Sequence, residues 1–177
     1  MKYWYVFKPE RKSFCGTIGA QGYFMTTITT IEDIVTLALD KEKEAVQFYT
    51  EASEIVRNPG TKAMLKELAA EEQKHVAMLT DIKSGKTLES IGAQRLPPTM
   101  DLSKYLVSEP ISTHSTPQDI MIIAIKREDR AIAFYSSQIP VVKGTDLQHV
   151  FEHLLQWEQA HKERLESEYD RVVLKDN

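Results

Sequence analysis

The sequence predicts an all-α fold, a four-helix bundle made of two antiparallel helix pairs joined by a long crossover. Three observations carry this. Glycine and proline leave four clear stretches: none falls between Tyr23 and Asn58, Thr61 and Ser84, Gln118 and Ile139, or after Gly144. Each clear stretch repeats its apolar residues with a helical period. The chain also repeats itself, since a shift of 86 residues, which takes Glu42 to Glu128, aligns its halves without a gap.

Composition bounds the answer. The 177 residues suffice for one domain with a sizeable core and are tight for two. Apolar residues at 42% and charged residues at 27% read as a soluble, globular chain. A net charge of -4 announces no basic face, so nucleic acid is not an expected partner. The longest apolar run, Ile120–Ile125, falls far short of the roughly 20 residues of a membrane span. A lone cysteine, Cys15, excludes an internal disulfide and any CxxC metal site within these residues. These features point to a cytoplasmic protein with no membrane association.

Residues 1–24 are rich in aromatics, glycine and base, and the composition changes at Met25. Lys8, Arg11 and Lys12 break any signal-peptide core. The segment reads as an accessory arm, as a disordered tail, or as untranslated sequence ahead of a start at Met25. Residues 25–177 form the domain. Helices are expected at 30–57, 61–84, 117–139 and 145–173. Asn58-Pro59-Gly60 joins the first pair and the turn around Pro140–Gly144 the second, and such short joins make antiparallel neighbours. Between the pairs, the crossover 85–115 carries Pro97, Pro98 and Pro110. It is long enough for the second and third helices to run parallel.

The repeat pairs Thr30, Asp33, Glu42, Ala45, Phe48 and Tyr49 with Thr116, Asp119, Glu128, Ala131, Phe134 and Tyr135. It also pairs Leu68, Glu72, His75 and Leu79 with Leu154, Glu158, His161 and Leu165. Helix two has a seam at Leu65, Leu68, Glu72, His75, Leu79 and Ile82, and helix four one at Phe151, Leu154, Glu158, His161 and Leu165. Spacings of three and four put each set on one face. Helix one runs Ile34, Ala38, Glu42, Ala45, Tyr49, and helix three Ile120, Ala124, Glu128, Ala131, Tyr135.

Each seam is apolar except at one level, near mid-helix, where a carboxylate stands. Four carboxylates meeting in a core repel, and each costs several kcal/mol if unpaired. No lysine or arginine shares that level of the seam. Two divalent cations would balance the four charges, with His75 and His161 as neutral nitrogen donors. Glu-x-x-His puts both side chains a turn apart on one face, within reach of one metal, while Glu42 and Glu128 bridge or chelate. One Glu from each of two helices plus a Glu-x-x-His from each of the other two is the donor set of di-iron and di-manganese carboxylate bundles. Tyr49 and Tyr135, two turns beyond Glu42 and Glu128, are placed to hydrogen-bond a ligating carboxylate. Without metal, the four glutamates are expected to share protons and raise one another's pKa. Glu44, Glu71, Lys41 and Lys43 read as a solvated face. Arg130 points away from the seam, His114 reads as surface, and His149 with His153 offers at most a small second metal site.

The segments EKEAVQFY, AAEEQKH, KREDRAIAFY and LLQWEQAHKERL resemble the rubrerythrin branch of the ferritin-like superfamily over about residues 30–173. The resemblance implies a ferritin-like, up-down-down-up bundle with two iron ions per chain. Manganese and zinc are compatible with the same donors. Carried over residue by residue, the metal ligands are Glu42, Glu72, His75, Glu128, Glu158 and His161. Glu42, Glu128, Tyr49 and Tyr135 are the catalytic candidates. The family implies reduction of hydrogen peroxide, or oxidation of ferrous iron by oxygen or peroxide, and a homodimer. Two departures matter. Typical members append a four-cysteine rubredoxin domain, so here electrons come from a separate donor, a rubredoxin-like protein or a reductase. Typical members also carry an extra Glu where this chain has Ala131, which bears on peroxidase turnover. The competing readings are a non-catalytic metal carrier or sensor, and a structural bundle that has lost its metal.

Overall fold

A computed structural model of the chain describes residues 30–85, 93–94 and 109–173. The arm at 1–24 with Cys15, and most of the crossover 85–115, lie outside the described residues. Four helices form: α1 (Ile31–Ile55), α2 (Pro59–Ser84), α3 (Pro117–Gln138) and α4 (Asp146–Val173). Among the described residues no helix is long and apolar enough to cross a membrane.

The repeat reaches down to the helix caps. Thr30 Oγ1 accepts the Asp33 amide at 3.2 Å while Asp33 Oδ2 accepts the Thr30 amide at 3.0 Å. Thr116 and Asp119 do the same at 3.1 and 3.0 Å before α3. Each is a capping box that satisfies two amides at a helix start.

The first turn lies two residues earlier than the sequence suggests. Pro59 and Gly60, expected in the turn, form the first turn of α2 instead. Pro59 sits at the first helical position, where its missing N–H is no loss. Proline also drives the preceding residue out of the helical region, and Asn58 has φ -64 and ψ 122. From there its Oδ1 accepts the amides of Gly60 at 2.9 Å and Thr61 at 3.1 Å. So α1 ends at Ile55, not 57, and α2 begins at Pro59, not 61. The second turn needs a left-handed residue, and Gly144 supplies it at φ 81. That turn also folds Val142 into the core.

Two apolar clusters hold the bundle. One joins the start of α1 (Ile31, Ile34, Val35, Ala38), Leu79 late in α2, Phe134 late in α3, and Leu147, Phe151 and Leu154 early in α4. The other joins Phe48, Tyr49, Ala52 and Val56 late in α1, Leu65 and Leu68 early in α2, Ile120, Met121 and Ala124 early in α3, and Leu165 in α4. These groupings fix the directions: α1 and α4 run one way, α2 and α3 the other. The parallel second and third helices are as the crossover implied. At its near end that crossover is tied to α3, where Glu109 accepts Arg130 at 2.9 Å. Between the two clusters lies a layer that is buried and not apolar.

Candidate metal centre

All six expected ligands lie in that layer. Glu42, Glu72, His75, Glu128, Glu158 and His161 are each buried. They fall into two groups of four, Glu42–Glu72–His75–Glu158 and Glu72–Glu128–Glu158–His161, with one donor atom per residue and all donors within 4.8 Å of one another. Glu72 and Glu158 belong to both groups. The carboxylates placed to bridge are therefore those of the Glu-x-x-His motifs. Glu42 and Glu128 each belong to one group only, which fits the chelating alternative of the two that the spacing left open.

Both imidazoles turn Nδ1 inward. His75 Nδ1 lies 2.9 Å from Glu72, 3.4 Å from Glu42 and 3.3 Å from Glu158. His161 Nδ1 lies 3.1 Å from Glu72 and 3.7 Å from Glu158. The two rings are nearly parallel, with centroids 5.5 Å apart. The tyrosines cross between halves: Tyr49 Oη on α1 donates to Glu128 on α3, and Tyr135 Oη on α3 donates to Glu42 on α1. Each thus holds the carboxylate of the opposite repeat and orients it toward the layer. Removing either hydroxyl leaves a buried carboxyl oxygen without its donor, which costs about 1–3 kcal/mol. Tyr49→Phe and Tyr135→Phe are each expected to lower the melting temperature by roughly 3–10 °C. Thermal unfolding followed by circular dichroism checks this, and a wild-type melting curve for both variants refutes the crossed pairing.

The protonation pattern departs from the expectation that all four carboxyls are raised. Burial pushes Glu42 well above the usual carboxyl range, and Glu158 and Glu72 push it further. Glu128 is raised by burial and by Glu158. Burial and Glu158 oppose ionisation of Glu72, yet its contacts with His161, His75 and Glu42 hold it below its ordinary value. Burial opposes Glu158 too, and Glu128, His161 and His75 outweigh it. Burial would depress His75, but Glu158, Glu42 and Glu72 raise it to about 12. His161 rises to about 9 against burial, through Glu158 and Glu72. These directions favour charged imidazoles facing ionised Glu72 and Glu158 in the metal-free layer, with Glu42 and Glu128 favoured as neutral carboxyls. Burial, with the carboxylates around them, raises the phenols of Tyr49 and Tyr135, which keeps both as donors.

The donor set fits metal ions. Glu72 Oε1, Glu158 Oε1 and His161 Nδ1 are buried, and their close contacts with one another and with His75 lack the geometry of hydrogen bonds. Orphaned polar atoms in a core are costly unless something else satisfies them. Oxygen and imidazole donors suit iron, manganese and zinc alike.

A cavity of about 60 Å³ reaches the layer between α1 and α3. Glu42, Glu72, Glu128 and Glu158 form its floor, Ala45 and Ala131 part of its wall, and Lys41, Glu44, Arg127 and Arg130 also line it. The seam is open there because alanine is small. Lys41, Glu44 and Arg130, assigned to the outside by spacing, thus border the way in. His149 is exposed and lies 3.3 Å from Glu152, and among the described residues no metal-donor group includes it or His153.

Comparison with known proteins agrees with this fold. The rubrerythrin family model matches residues 33–169, and matches 18–83 as well. The chain belongs to the rubrerythrin family. No curated protein matches it significantly. Three solved structures share its ferritin-like fold. One is a ferritin-like diiron-carboxylate protein from Thermotoga maritima, at 24% identity and TM-score 0.65 over 81% of this chain and 96% of that one. Another is a hypothetical protein from Pyrococcus furiosus, at 23% and 0.63 over 81% and 90%. The third is a dodecameric thioferritin, the bacterioferritin-related protein of Bacteroides fragilis, at 20% and 0.62 over 82% and 86%.

For this member of the rubrerythrin family, one part of the site was not foreseen from sequence. Glu71, read as solvated, lies with Oε2 3.0 Å from His161 Nε2 and is held by Arg164 Nη1 at 2.7 Å. Trp157 stacks on His75, with centroids 4.8 Å apart and planes at 16°. The signal was present in the repeat: Glu71 and Trp157 occupy matching positions beside identical ligands.

Proposed function

We propose that residues 25–177 form a di-iron oxidoreductase that reduces hydrogen peroxide, oxidises ferrous iron with oxygen or peroxide, or both. The observation that carries this is the pair of four-donor groups sharing Glu72 and Glu158. Carboxylates common to both groups support a pair of ions in place of a single one. Bound there as ferrous iron, such a pair would supply the two electrons that, with two protons, convert one hydrogen peroxide to two waters.

The chain's own residues do the rest. Glu42, Glu72 and His75, with Glu128, Glu158 and His161, would hold the two ions. Metal binding displaces protons from Glu42 and Glu128 and from both imidazoles. Tyr49 and Tyr135 keep the two terminal carboxylates aimed at the layer. The cavity past Ala45 and Ala131 has room for a few water-sized molecules, which suits peroxide or oxygen and excludes a bulky substrate. No carboxylate stands at Ala131 to add a further ligand, so a slow return to the reduced state, closer to ferroxidase behaviour, fits this chain. A separate donor, rubredoxin-like or a reductase, returns the electrons. A cytoplasmic homodimer completes the reading.

The test is stopped-flow mixing of anaerobic, ferrous-loaded protein with equimolar hydrogen peroxide or oxygen. Oxidation within seconds, faster with peroxide, is the expected result, read as near-ultraviolet absorbance of the oxidised centre. No absorbance change with either oxidant replaces this reading with a non-catalytic metal carrier or sensor.

A further inference from the structure

The repeat that duplicates the six ligands does not duplicate what stands behind them. Behind His161 is a polar clamp. Glu71 Oε2 lies 3.0 Å from Nε2, the ring nitrogen turned away from the layer. Arg164 holds Glu71 through Nη1 at 2.7 Å and Glu67 through Nη2 at 2.9 Å. The 86-residue shift takes Glu71 to Trp157, Glu67 to His153, and Arg164 back to Met78. Behind His75 there is accordingly an aromatic face in place of the carboxylate. Trp157 stacks on the ring at 4.8 Å, and His153 sits beside Trp157 at 6.1 Å. Trp157 is 40% exposed, about as much as Glu71 behind the other ring, so the halves differ in the chemistry of the backing group and not in burial.

We infer that Glu71 is a positioning residue for one half of the centre, and that the His161 subsite takes its metal first and more tightly than the His75 subsite. The inference rests on the dinuclear reading above. A carboxylate on the far nitrogen keeps the proton on Nε2, leaves the Nδ1 lone pair for the metal, fixes the ring and makes it a stronger donor. Arg164 and Glu67 already hold Glu71 in place, so little ordering remains to be done when metal arrives. The face of Trp157 accepts no N–H in a stacked geometry and selects no tautomer. Nearly identical inner ligands with different backing therefore give unequal subsites, the second being the exchangeable one. Loss of such an outer partner lowers metal affinity about 10–100-fold, which sets the expected gap.

Manganese(II) alone is a suitable probe, because oxygen and nitrogen donors bind it and air does not readily oxidise it at neutral pH. Calorimetric titration of the metal-free protein is expected to show two steps separated by about 10–100-fold. Electron paramagnetic resonance at one equivalent is expected to show the six-line spectrum of isolated ions, replaced by a coupled spectrum at two. Glu71→Ala is expected to weaken the first step by about 10–100-fold and leave the second step and the final stoichiometry unchanged. A merely structural role for Glu71 would weaken both steps together. Equal steps in the wild type, a coupled spectrum already at one equivalent, or an unchanged first step in Glu71→Ala each overturns the inference. Saturation at a single ion overturns the dinuclear reading itself, whatever the effect of Glu71→Ala.

Discussion

Replacing Glu158 or Glu72 by glutamine is expected to lower both metal loading and the stability of the metal-free protein, whereas Glu42→Gln and Glu128→Gln spare the metal-free stability. The difference follows from protonation. Glu72 and Glu158 are held ionised against the His75 and His161 imidazoliums. An amide in place of either leaves buried imidazolium charge uncompensated, and breaking a buried pair costs about 3–5 kcal/mol. Glu42 and Glu128 carry raised pKa values and hold their protons before metal binds. An amide there replaces one neutral group with another of nearly the same shape, at a cost of roughly 1 kcal/mol or less.

Metal loading sorts the four differently. Glu72 and Glu158 lie in both donor groups, so losing one weakens both ions. Loading is expected to fall from two ions to fewer than one. Glu42→Gln and Glu128→Gln each damage one group and leave close to one ion. Oxidation of the ferrous form, which needs both ions together, is expected to slow at least about 100-fold in all four variants, roughly 2.7 kcal/mol of barrier. Denaturant unfolding, metal analysis after desalting, and stopped flow read the three effects. Equal metal-free stabilities for Glu158→Gln and Glu128→Gln would refute the protonation pattern.

The grouping of the six candidate donors was legible because the sequence repeats them. Glu42, Glu72, His75 and their counterparts stand on seams whose period is helical, and the level of each along its helix follows from the antiparallel order. Thr30 and Asp33 stood out only as repeat partners of Thr116 and Asp119, and it is the structure that shows each pair closing a capping box. What crosses between helices was not legible. Period places Tyr49 on the face of Glu42, but the hydroxyl reaches Glu128 because α1 and α3 run antiparallel. Glu71 precedes a ligand and so lies about 100° around the helix from it, on what looks like the wet side. It meets His161 only because α4 packs beside α2 and brings Arg164 with it. The start of α2 was misplaced because Pro59 and Gly60 read equally well as a turn and as a first helical turn. The Asn58 side chain, capping from behind the proline, decides between them.

The metal-free protein is expected to be most stable at mildly acidic pH and to lose stability as pH rises, with metal restoring it most where it is weakest. Glu72 and Glu158 have lowered values, so their contribution is present above their unfolded pKa near 4.5 and lost as pH falls through the folded values. Glu42 and Glu128 have raised values, so theirs is full below 4.5 and fades as pH climbs. His161 and His75 contribute fully below about 6.5, and the contribution fades as pH climbs toward about 9 and about 12. Above pH 6.5 the folded state therefore binds more protons than the unfolded one, and stability must fall with pH. Glu42 and Glu128 already make stability fall above about pH 4.5, so the maximum lies near pH 4.5 and the fall steepens above about 6.5. Metal competes with these same protons, so its affinity rises over the range in which the metal-free bundle weakens. Free metal at about 100 times its dissociation constant adds about 2.7 kcal/mol, or roughly 5–11 °C for a chain of this length. Chelation at pH 8 is expected to lower the melting temperature by about that much, and chelation at pH 5.5 by only a small part of it. Melting curves with and without chelator across this range test the linkage. An effect of chelation as large at pH 5.5 as at pH 8 would mean that protons do not stand in for the metal between Glu72, Glu158, His75 and His161.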